Sequence, residues 1–85
     1  MNIKIEKGDK MSLSDVAMGK KVSIKNINAD SVLKKRLRAL GVSKNSEAIV
    51  LEESLGKQNM KISIGSTEVA LRKNEAELIE VEVLP

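Results

Sequence analysis

The chain has 85 residues and a net charge of +3, and it lacks histidine, cysteine and all aromatic residues. At this length folding buries only about 60% of the surface of the unfolded chain, which predicts one domain with an aliphatic core. The missing residue types exclude disulfides, imidazole and thiolate metal ligands, and the usual nucleophile–base pairs of enzymes.

The charge is distributed unevenly along the chain. Residues 1–44 carry eleven Lys or Arg against four Asp or Glu, whereas residues 45–85 carry four against eight. The interleaved glutamates argue against a continuous basic face, so we expect no nucleic-acid partner. No apolar run approaches the roughly 18 residues of a membrane span, and no signal peptide is evident. We therefore expect a cytoplasmic protein that is not inserted in a membrane.

The first half of the sequence predicts a strand and a helix. We expect residues 1–11 to form a flexible lead and residues 12–85 to form the domain, which opens with a short helical turn after the capping-box sequence at 12–15. Alternating apolar residues over 21–27 indicate a strand. The following helix, capped by Asp30 or Ser31, ends at Gly41. Its apolar face is formed by Leu33, Leu37 and Leu40.

The second half of the sequence predicts four more strands. In the strand over 47–53 we expect Ile49 and Leu51 to share one face. A loop over 54–59, a tight turn at Gly65–Ser66 and one helical turn over 74–77 separate the others. Their alternating apolar residues are Met60, Ile62, Ile64, Val69, Leu71, Ile79, Val81 and Val83. Five short strands, with one helix between the first and second, indicate a mainly β protein folded as a small barrel.

Two motifs resemble the FeoA family, the small cytosolic accessory proteins of bacterial ferrous-iron uptake. An Arg-Leu-x-x-Leu-Gly pattern at the helix end is matched by Arg36, Leu37, Leu40 and Gly41. An Ala-Leu-Arg-x-x-Glu-Ala-x-x-Ile-x-Val pattern at the last hairpin and strand is matched by Ala70, Leu71, Arg72, Glu75, Ala76, Ile79 and Val81. The resemblance covers about residues 12–83. It implies a five-stranded SH3-like barrel that binds the cytosolic part of the FeoB transporter, which carries a GTPase domain.

The sequence departs from that family in the loop over 54–59, where Leu55-Gly56-Lys57-Gln58-Asn59 stands in place of a common Leu-Gly-Asp-Pro, and at the turn after the helix. Where many relatives place Pro-Gly after the helix, this chain has Lys44–Asn45. Because Asn tolerates a left-handed backbone better than most residues, we expect the turn to keep its shape.

The residue inventory predicts neither catalysis nor a bound metal or cofactor. Fe(II) usually takes imidazole, thiolate or histidine–carboxylate ligands, and only carboxylates remain here. The glutamates at 52–53 and 75–82 are expected to lie on solvated surfaces. The five glycines are spread one per turn, so they form no phosphate-binding loop.

A partner-binding surface is predicted on the basic helix and the nearby loop. Lys34, Lys35, Arg36 and Arg38, with Lys44 beyond them, concentrate positive charge, while Leu55 is the most plausible exposed apolar residue. We expect the contact residues to be Lys35, Arg38, Leu55 and Met60. Two alternatives stay open: an SH3-like domain of an iron-dependent transcriptional regulator, and a small basic nucleic-acid-binding barrel.

Overall fold

The computed structural model of the protein describes residues 10–53 and 58–85. Its strands are β1 (Lys10–Ser12), β2 (Lys21–Ile27), β3 (Glu47–Glu53), β4 (Asn59–Ile64), β5 (Thr67–Arg72) and β6 (Ile79–Val83). Its helices are a 3₁₀ turn (Leu13–Asp15), α1 (Ser31–Ala39) and α2 (Lys73–Ala76).

All six strands of the described chain form one antiparallel sheet in the order β1-β6-β2-β3-β4-β5. The predicted mainly β fold is confirmed, with α1 following the first predicted strand. The strand count and closure differ from the prediction, since β1 adds a sixth strand and the sheet is open with β1 and β5 at its edges. Residues 10 and 11, assigned to the lead, pair with Glu82 and Val81 of β6. Residues 1–9 lie outside the described part of the chain.

Ser12 does not cap the 3₁₀ turn as its sequence context predicts. Its side chain makes no cap hydrogen bond. The hydroxyl lies 3.0 Å from Ser14 Oγ and donates toward the carbonyl oxygens of Ala76 at 3.3 Å and Glu77 at 3.2 Å. Ser12 thus connects the start of the domain to the end of α2, because the pairing of β1 with β6 brings the two segments together.

The core is built from aliphatic side chains on the inner face of the sheet, closed by the 3₁₀ turn and by α1. Its buried members are Leu13, Val16, Val22, Ile24, Leu37, Val42, Ala48, Val50, Met60, Ile62, Val69, Leu71, Ala76, Ile79 and Val81. In β3 the alternation places Ala48 and Val50 inward, opposite Val22 of β2 and Ile62 of β4 respectively. Ile49 and Leu51 therefore share a face, as expected, but it is the outer face, where they are 38% and 37% exposed.

Helix α1 begins and ends at the predicted residues. The Asp30 carboxylate accepts a hydrogen bond from Leu33 N at 2.9 Å and caps the first turn. Gly41 follows the helix with φ +94°, and the bonds Gly41 N to Arg38 O and Val42 N to Leu37 O form a Schellman ending.

The leucine stripe of α1 is buried unequally. Leu37 is fully buried and Leu33 is partly buried, but Leu40 is 38% exposed because it lies where the chain leaves the helix. Leu37 is therefore the main anchor of α1 on the sheet.

Candidate partner-binding site

Arg36 and Glu75 join the two sequence motifs across the fold. Arg36 Nη2 lies 2.9 Å from Glu75 Oε2, and Glu75 Oε1 accepts a hydrogen bond from the backbone N of Arg72 at 3.0 Å. The Glu75 side chain is only 15% exposed. One residue of the predicted basic cluster is therefore a structural link between α1 and the start of α2.

A basic cleft forms where α1, the end of β2 and the segment after α1 meet. Lys34 and Arg38, one helical turn apart on α1, line it together with Lys44. The remaining lining residues are Asn26, Ile27, Val42 and Ser43. No carboxylate lines this cleft, so three cations surround a floor that includes the half-buried Ile27 and the buried Val42.

The cleft walls are held by hydrogen bonds that do not involve its cations. Asn45 N donates to Ile24 O at 2.7 Å, and Ile24 N donates to Ser46 O at 2.8 Å, which fixes the segment after α1 against β2. Ser46 Oγ donates to Gly41 O at 3.1 Å and lies 3.0 Å from Ser43 Oγ. Asn45 has φ +73°, so it adopts the expected left-handed conformation.

Four carboxylates of the described chain form ion pairs outside the cleft. The ion pairs of the described residues are Lys21–Glu47, Lys25–Glu82, Arg36–Glu75 and Lys61–Glu68. Within the same part of the chain, Lys34, Arg38 and Lys44 form no ion pair. They are also exposed to solvent, so their charges are available to a partner.

The structure brings together only part of the predicted contact set. Arg38 lines the cleft, whereas Lys35 is exposed on the same helix without lining it. Leu55 lies outside the described residues. Met60 is 5% exposed and packs in the core, so it offers little surface to a partner. The cause is the alternation of β4, which places Met60 on the inner face opposite Leu71 of β5.

Lys34 lines the cleft but is absent from the contact set predicted from the sequence. Its four-residue spacing from Arg38 places both on one helical face, and this pattern was visible in the sequence. The proximity of Lys44 was not visible, because it depends on the return of the chain toward β2 after Gly41.

The described residues contain no cluster of three or more acidic side chains placed to hold a metal ion. Residues 10–53 and 58–85 also include no helix that is both long and apolar enough to cross a bilayer.

The fold and this surface define a small, mainly β domain of the SH3-like class. The FeoA domain model matches residues 11–83, and the chain belongs to that family. A candidate Fe(2+) transport protein A of Campylobacter jejuni is 34% identical over 74 residues, which cover 87% of this chain and 100% of that protein.

Solved structures show the same architecture. The FeoA protein of Chlorobium tepidum has a TM-score of 0.84 and 25% identity, over 88% of this chain and 71% of that one. A manganese-dependent transcriptional repressor has a TM-score of 0.82 over 95% of this chain and 45% of the repressor. Its identity of 22% shows a common fold alone.

Proposed function

We propose that this protein is a non-catalytic, cytoplasmic accessory protein of ferrous-iron uptake that binds the cytosolic part of the FeoB transporter. The observation that carries the proposal is membership of the FeoA domain family over residues 11–83. The names of the Campylobacter and Helicobacter relatives, which refer to Fe(2+) transport, support the same process. Fe(II) is the cargo of the transporter in this proposal, and this chain acts on the transporter itself.

The residue inventory supports a binding role. Without histidine, cysteine or tyrosine, proton transfer and nucleophilic attack would depend on carboxylates, lysines and hydroxyls. The absence of aromatic residues also removes the groove with which SH3 domains bind polyproline. Recognition would therefore use charged and aliphatic contacts.

The proposed contact surface combines the basic face of α1, with Lys35 and Arg38, and the loop residue Leu55. Exposed charges at the rim of an interface mainly accelerate association, whereas a buried aliphatic anchor mainly slows dissociation. Lys35 and Arg38 are both exposed and form no ion pair within the described part of the chain.

Binding of the purified cytosolic transporter fragment to the immobilised protein tests this function. Lys35→Glu with Arg38→Glu should lower the association rate and its salt dependence, and Leu55→Ala should raise the dissociation rate. Lys20→Glu with Lys73→Glu changes the net charge equally at exposed positions outside the cleft and is the matched control. Failure of the wild-type protein to bind the fragment would refute the proposal.

The regulator alternative is supported by fold similarity to the manganese-dependent repressor. Against it, the Campylobacter relative is matched over 100% of its length, which leaves that relative no separate DNA-binding domain. A salt-dependent gel shift would reveal the other alternative, a small basic nucleic-acid-binding barrel, since nucleic-acid affinity falls steeply with salt. Our proposal predicts no shift.

A further inference from the structure

We propose that the basic cleft of Lys34, Arg38 and Lys44 binds an acidic segment of a protein partner, with an aliphatic side chain of that segment on Ile27. The inference rests on the proposed function, because it specifies the chemistry of the transporter segment that would bind this protein. It also moves the centre of the contact from Lys35 toward Lys34 and Lys44.

The first argument is electrostatic. Four other cations of the described chain, Lys21, Lys25, Arg36 and Lys61, each lie within 3.6 Å of a carboxylate oxygen, which reduces their contribution to the surrounding potential. The three cations of the cleft have no such neighbour within residues 10–53 and 58–85, and no acid lines the cleft. Carboxylates of a partner would meet unneutralised charge from two walls.

The second argument is the apolar floor. Ile27 is half-buried, and the aliphatic stems of the exposed Lys34 and Arg38 can extend its apolar surface toward the rim. A phosphate ion would use the cations but not this floor. Single-stranded nucleic acid would be expected to stack on aromatic residues, and the chain has none. A peptide that alternates carboxylates with a leucine or isoleucine uses both parts of the cleft.

The third argument is the fixed shape of the site. The cleft has a volume of about 360 Å³, near the lower end of the roughly 300–1,000 Å³ of ligand pockets, which suits a short segment. Its walls are held by two hydrogen bonds. Asn45 N donates to Ile24 O at 2.7 Å, and Ile27 N donates to Asn26 Oδ1 at 3.0 Å. Binding therefore requires little ordering of the backbone, which lowers its entropic cost.

An NMR titration with a synthetic peptide tests the cleft without the transporter. The probe is a seven-residue peptide of Glu with a central Leu. Its binding is monitored through the amide chemical shifts of the 15N-labelled protein. Shifts should concentrate at residues 26–27, 34–38 and 42–44. Peptides with Gln for Glu, or with Gly for Leu, should bind at least about fivefold more weakly, since each lost set of contacts is worth about 1 kcal/mol.

Two variants of equal charge locate the binding site. Lys34→Glu with Lys44→Glu should weaken peptide binding at least about tenfold, whereas Lys20→Glu with Lys73→Glu, at exposed positions outside the cleft, should weaken it less than about threefold. Thermal denaturation confirms that both variants are folded. An equal loss of peptide affinity in both variants would overturn the proposal. Tighter binding of inorganic phosphate or a single-stranded oligonucleotide than of the peptide would also overturn it.

The transporter fragment separates this inference from the proposed function. Loss of fragment binding in the cleft variant alone supports both. Fragment binding that the cleft variant retains overturns the cleft and leaves the proposed function standing. Peptide binding in the cleft without any binding of the fragment to wild type supports the cleft and refutes the proposed function.

Discussion

Substitution of Leu37 by Ala tests how α1 is attached to the sheet. Leu37 is fully buried, and the other residues of α1 are partly or fully exposed. Its backbone carbonyl also accepts the bond from Val42 N, at 2.8 Å, that closes the helix. Truncation to Ala keeps that bond and the helix propensity but removes the side chain that packs in the core.

The expected loss of stability follows from the burial of this side chain. Removing a fully buried leucine side chain costs about 2–5 kcal/mol, which combines the lost transfer free energy with the cavity that remains. A chain of this size has a free energy of unfolding of roughly 5–10 kcal/mol. Leu37→Ala should therefore remove a large fraction of the total stability.

Equilibrium unfolding in urea, followed by far-ultraviolet circular dichroism, measures the effect. With a slope of about 1–1.5 kcal/mol per molar urea, a loss of about 3 kcal/mol lowers the midpoint by roughly 2 M. Leu40→Ala is the matched control on the same helix, and we expect a loss below about 1 kcal/mol because Leu40 is 38% exposed. A similar loss for both variants would refute the conclusion that Leu37 is the main anchor of the helix.

Three further predictions follow from the geometry. Glu75→Ala should destabilise the protein by about 1–2 kcal/mol, because its carboxylate is largely buried and also accepts a hydrogen bond from the Arg72 backbone, whereas Arg36→Ala should cost less than about 1 kcal/mol because the guanidinium is exposed. A double-mutant cycle in urea measures the coupling between the two side chains, and a larger loss for Arg36→Ala than for Glu75→Ala would contradict this reasoning. Gly41→Ala should cost about 1–2 kcal/mol from its φ of +94° alone, since the new Cβ would lie at an ordinary 3.6 Å from Ile64 Cγ2; an unchanged unfolding midpoint would exclude this. Anaerobic titration calorimetry with Fe(II) should show no saturable site, because neither imidazole nor thiolate is present; a stoichiometric micromolar site would refute it.

Local chemistry determined several features that the sequence predicts correctly. Asp30 caps α1, Gly41 ends it, and Gly65–Ser66 forms the tight turn between β4 and β5. Asn45 adopts a left-handed backbone in place of a glycine. Each of these depends on the preferences of one residue or on hydrogen bonds within a few positions, which a sequence displays directly.

The face of a strand that becomes buried was determined only by its neighbours. β3 has apolar residues on both faces, so alternation alone does not distinguish Ala48 and Val50 from Ile49 and Leu51. Pairing with Val22 of β2 and with β4 turns the first pair inward. The extra strand β1 has the same origin, because residues 10–12 pair with residues about 70 positions further along the chain.

The candidate site shows the same division between local pattern and long-range contact. The sequence by itself placed four cations on one helix and identified the family motifs that contain Arg36 and Glu75. Only in the folded protein does Arg36 pair with Glu75, 39 positions away. Folding also brings Lys34 and Arg38 to the same cleft as Lys44 and buries Met60 in the core. Charge and periodicity are properties of neighbouring residues, whereas a cleft and an ion pair arise when distant segments are packed together by burial of the aliphatic core.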